Sequence, residues 1–110
     1  MNIPYPEKYK FDYQQYKLLN AKFGLLMSEY YEYGSKSAIE KLLLSILLDT
    51  ASKFRINEFE KPKKTYTKTL KYHEAFALLS FVTYILQFEA DVYWRAVLEQ
   101  TRIILDKKVN

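Results

Sequence analysis

Two glycines and three prolines in 110 residues leave this chain few means of turning sharply. Glycine supplies the positive-φ conformations of tight turns and proline presets others, so an all-β sandwich needs many of both. Long helices need almost none. Pro4 and Pro6 lie at the extreme N-terminus and Pro62 in the middle, with long uninterrupted stretches between and after them. The scarcity of turn residues predicts an all-α protein. Hydrophobic residues make up 49% and aromatics 17%, enough for a core, and the length is that of one domain. No internal repeat or low-complexity tract interrupts it.

Four helices are legible from caps and apolar spacing. Asp12 is placed to accept from first-turn N–H groups, and Gln15 stands three residues on, a capping box. Phe11 and Tyr16 are positioned as the accompanying hydrophobic staple. Leu19, Phe23, Leu26, Tyr30 and Tyr33 then recur at steps of four and three until Gly34, predicting a helix at about 13–33. Ser37 and Glu40 repeat the box. Ile39, Leu42, Leu43, Ile46, Leu47, Ala51 and Phe54 follow on one face, widened by Leu44 and Leu48, and predict a second helix at about 38–58. Thr67 is the next cap. It opens a third helix at about 68–88, apolar almost all round, and Trp94, Val97, Leu98, Thr101, Ile104 and Leu105 mark a fourth at about 91–107.

One continuous helix over 68–107 would be about 60 Å long, twice the length of the others. A break at Glu89-Ala90-Asp91, with Asp91 as cap, gives four segments of similar length. The expected architecture is an antiparallel four-helix bundle. The alternative is three helices with a long continuous C-terminal one, which an intertwined dimer could cover. Residues 1–11 read as an extended arm and 60–67 as a basic loop.

The formal charge is +4. Its excess falls in residues 61–73, where Lys61, Lys63, Lys64, Lys68 and Lys71 meet no acid. Interleaved with Tyr66, Tyr72 and three threonines, these lysines could follow a phosphate backbone or another acidic partner, with rings for stacking. Solvated lysine loops are also common, and this one carries no arginine for reading base edges. The longest uncharged stretch, residues 75–88, falls short of the roughly 18 residues a membrane span requires. With no secretory leader pattern and no cysteine, the chain reads as a soluble cytoplasmic protein.

Chemistry-bearing motifs are missing. His73 is the single histidine, and no carboxylate stands three before it, so a carboxylate-bridged or zinc site lacks its ligands. Gly-x-Ser-x-Gly and phosphate-cradling glycine loops are absent. The pair Glu29 and Glu32 reads as a solvated helix face. No catalytic residue, cofactor, metal or small-molecule substrate is expected. Eleven tyrosines, with Tyr5, Tyr9, Tyr13 and Tyr16 at helical steps, suit the wet rim of a thin bundle or an interface.

The broad apolar arcs of the second and third helices exceed what one thin bundle shelters. Leu44, Leu48, Phe81, Tyr84, Ile85 and Phe88 are the residues expected to remain for a partner, a homodimer being the commonest solution. The resulting expectation is a non-enzymatic helical protein–protein interaction factor, accessory, regulatory or inhibitory in kind. Its size and its lysine- and tyrosine-rich composition would suit a phage or mobile-element product. The alternative is a nucleic-acid-binding module using the segment from Lys61 to Lys71.

Overall fold

The computed structural model describes residues 6–32, 38–55 and 59–109, with all of their side chains except those of 26–32, 38–40 and 108. Strand β1 (Glu7–Asp12) leads into helix α1 (Tyr13–Glu32). Helix α2 (Ala38–Ala51) follows and runs into a 3₁₀ turn, Ser52–Phe54. Strand β2 (Thr65–Leu70) then leads into α3 (Tyr72–Leu86) and α4 (Val92–Val109). The expected all-α four-helix bundle is corrected: among the described residues four helices pack with a two-stranded antiparallel sheet, an α+β arrangement.

The sheet escapes a count of turn residues because its strands are not a hairpin. β1 and β2 are joined through α1 and α2, so their pairing requires no glycine-rich reversal. Local chemistry favours extension on both sides. In β2, Thr65, Thr67 and Thr69 alternate with Tyr66, Lys68 and Leu70, the period-two pattern of β-branched residues against larger ones. Residues 65–67, expected in the basic loop, and 68–70, expected in the third helix, are therefore strand, and α3 begins at Tyr72. In β1, the alternating Tyr9 and Phe11 are both buried, so much of the expected arm is a core strand.

Register fixes the two faces of the sheet. Tyr9 lies opposite Lys68 and Phe11 opposite Tyr66, on the face turned to the helices; Lys8 lies opposite Thr69, Lys10 opposite Thr67 and Asp12 opposite Thr65 on the other. Asp12 ends the strand and caps α1. Its Oδ1 accepts from the Gln15 N–H at 2.8 Å, and Gln15 Oε1 accepts from the Asp12 N–H at 2.9 Å. Phe11 and Tyr16, flanking this box, are both fully buried.

The second helix ends sooner than its apolar spacing suggests, at Ala51 rather than near 58. At its end Thr50 Oγ1 donates to the Ile46 carbonyl at 2.7 Å and Ser52 Oγ to that of Asp49 at 2.8 Å. Arg55 is extended, with φ −73° and ψ 138°. The turn thus drives Phe54 into the junction of α1 and β1. The Gly34 stop and the Ser37 cap fall outside the described residues.

Past Leu86 the chain leaves the helical path and re-enters it at Val92, where Asp91 Oδ1 accepts from the Trp94 N–H at 3.0 Å. α3 and α4 pack against each other, and Lys22 of α1 ties the turn between them through Glu89 at 3.1 Å. The core is one cluster drawn from every element, centred on Phe11, Tyr16, Phe54, Leu70, Leu78, Val82, Leu98 and Leu105.

Candidate interaction surfaces

The centre of the molecule is an aromatic junction. Phe54 sets its ring edge-on to Phe11, with centroids 5.5 Å apart, and touches Tyr16 and Phe23 at 5.7 and 5.5 Å. Tyr16 stacks on Tyr66 at 4.1 Å and donates its hydroxyl to the Arg55 carbonyl at 2.8 Å. Asn20, one turn along α1, donates to the Phe54 carbonyl at 2.7 Å. Two side chains of α1 thereby satisfy backbone carbonyls just beyond α2, where helical partners have run out. Burial, with the neighbouring Tyr66, pushes the Tyr16 phenol above its ordinary pKa.

A single ion pair locks the start of α3. Glu74 is buried, and its Oε1 accepts from the Lys71 N–H at 2.9 Å and from Lys53 Nζ at 2.8 Å. Lys53 also donates to the Thr69 carbonyl at 3.1 Å, so one ammonium joins the 3₁₀ turn, β2 and α3. Burial works to raise the Glu74 pKa, but the Lys53 hydrogen bond, the Lys71 N–H and the charge of Lys53 outweigh it and hold the carboxyl below its ordinary value. His73 beside it is exposed. Among the described residues no three His, Asp or Glu side chains are grouped to hold a metal ion.

Two surfaces remain as candidates for binding. The first lies on α3 and the start of α4. Of the six residues expected at an interface, Leu44 is buried, while Leu48, Phe81 and Ile85 are half-buried. Phe81 packs on Phe23 with centroids at 5.9 Å, and Ile85 packs against the core. Tyr84 and Phe88 stand out, 62% and 68% exposed, with rings edge to face at 5.2 Å. Sequence periodicity did not single out their companions: Tyr72 and Phe76 at the other end of α3, and Val92 and Tyr93 past its C-terminus, all exposed. Tyr72, Phe76, Ser80 and Tyr84 follow one another at steps of four along α3, and Phe88 stands four residues further, in the turn that follows it.

The second surface is the outward face of the sheet and its approaches. Lys61, Lys63, Lys64 and Lys71 are exposed, and the Lys63 N–H donates to the Tyr66 hydroxyl at 3.0 Å. Lys68 and Tyr66 belong instead to the inward face, Lys68 Nζ standing 5.2 Å from the Tyr16 ring centroid. One face of Tyr66 is already covered by Tyr16. In place of Lys68, the outward face gains Lys8 and Lys10, which lie far away in sequence. Only the strand register groups them with the basic segment.

No helix among the described residues is long and apolar enough to cross a membrane. Compared with protein-family models, with curated proteins and with solved structures, the chain matches none.

Proposed function

We propose that this protein is a non-enzymatic interaction factor that works as a homodimer, joined through the exposed aromatic ridge of α3. The observation that carries this reading is the order of side chains on the ridge. Two aromatic residues, Tyr72 and Phe76, precede the small Ser80, and two more, Tyr84 and Phe88, follow it. A two-fold contact must be self-complementary. With the axis at Ser80, each aromatic pair meets the other pair of the partner, and the small residue lets the helices approach. Ridges at steps of four interlock at a crossing angle near −50° and an interaxial distance of about 8–10 Å.

Large exposed apolar patches mark contact sites, and burying these rings supplies the driving force. A cytoplasmic setting belongs to the same reading and is supported by the cysteine-free sequence. Sedimentation equilibrium tests it. The expected mass is near twice 13.2 kDa at micromolar concentration. Ser80→Lys sets two like charges against each other at the axis and should return the monomer with its helical circular dichroism intact. A wild-type protein that stays monomeric up to about 100 µM, a concentration corresponding to only 5–6 kcal/mol of association, refutes the proposal.

A further inference from the structure

We propose that the outward face of the β1–β2 ribbon is a binding site for duplex DNA, seated in the major groove with flanking lysines on the phosphates. It shares no residue with the α3 ridge and stands independently of dimerisation. A two-stranded ribbon fits the B-form major groove, about 12 Å wide. Six paired residues extend about 20 Å, roughly six base-pair steps.

The ribbon is built to present this face. Tyr9, Phe11 and Leu70 anchor its other side in the core, so the strands form a rigid platform. At its centre Lys10 stands opposite Thr67, a cation beside a hydroxyl and a methyl group, which suit guanine acceptors and the thymine methyl respectively. Basic residues border both ends of β2: Lys61, Lys63 and Lys64 before it and Lys71 after it. The hydrogen bond from the Lys63 N–H to the Tyr66 hydroxyl holds the leading segment against the ribbon. Asp12, the acid on this face, has its carboxylate engaged at the N-terminus of α1.

Lys68 supplies the internal control. It lies within the same basic run of sequence but on the opposite face of the ribbon, over Tyr16. A polycationic run acting without regard to structure would use it equally.

The test measures binding of full-length protein to a labelled 20-base-pair DNA duplex between about 50 and 200 mM salt. Four phosphate contacts, from Lys61, Lys63, Lys64 and Lys71, give a slope of log affinity against log salt near −3.6, or an affinity loss of about 150-fold across this range. Lys64→Gln should flatten the slope by about 0.9 and Lys10→Gln should weaken binding by about fivefold or more, while Lys68→Gln changes neither slope nor affinity. Unaltered circular dichroism certifies that the variants fold. An RNA duplex of the same sequence, whose major groove is deep and narrow, should bind at least 10-fold more weakly. Absence of binding at 50 mM salt overturns the proposal. Equal effects of Lys68→Gln and Lys10→Gln, equal binding of RNA, or equal binding of polyglutamate each overturn it as well.

Discussion

Replacing Phe54 by alanine tests whether the aromatic junction is the mechanical centre of the fold. The ring is fully buried and touches Phe11 of β1 and both Tyr16 and Phe23 of α1, while its own backbone carbonyl is held by Asn20. Phe→Ala in a core costs about 3–5 kcal/mol, a range that already contains the ring–ring terms of about 0.5–1.5 kcal/mol each. Domains of this size are stable by about 5–15 kcal/mol, so the variant should fold with little in reserve. With a urea m-value of about 1.5 kcal/mol/M, a loss of about 4 kcal/mol lowers the unfolding midpoint by about 2.7 M. Circular dichroism at 222 nm and Trp94 fluorescence should report the same transition. Phe54→Leu, which keeps most of the volume, should lose about 1–2 kcal/mol. An alanine variant within 1 kcal/mol of wild type would show that the junction collapses around the gap, or that Phe54 sits elsewhere.

The Glu74 carboxyl has a lower pKa folded than unfolded, so its contribution is complete above its ordinary value of 4.5 and is lost as pH falls through the folded value. Glu74→Gln should cost about 1–2 kcal/mol at pH 7, and the gap to wild type should narrow progressively as pH falls below 4.5; urea midpoints against pH measure it, and a constant gap would refute the pairing with Lys53. Gly24 lies inside α1, and an added Cβ meets nothing within 4 Å. Gly24→Ala should therefore raise stability by about 0.5–1 kcal/mol in the same urea assay, and a loss would mean that a neighbour closes over this position.

Much of the helical content follows from local signals that need no partner. Asp12 and Gln15 form the box their spacing implies because each bond spans three residues. Asp91 opens α4 for the same reason, its carboxylate accepting from the Trp94 N–H. The apolar residues Leu19 and Phe23, Leu78 and Val82, and Val97, Leu98 and Leu105 share faces because a 3.6-residue period groups them whatever lies opposite. The lysine excess of residues 61–71 is likewise a property of the chain itself.

What the tertiary structure alone decided is pairing across distance. The alternation of residues 65–70 suits a strand, but only pairing with β1, brought back by α1 and α2, gives its backbone groups their partners. That register then sorts the lysines: Lys68 goes inward over Tyr16, while Lys10 joins an outward face shared with Thr67. Leu44 and Tyr84 show the same division between helices, since both lie on apolar arcs, yet one is buried and the other exposed. A period reports which residues share a face. Which face is covered depends on the neighbour that packs there, and residues distant along the chain supply it.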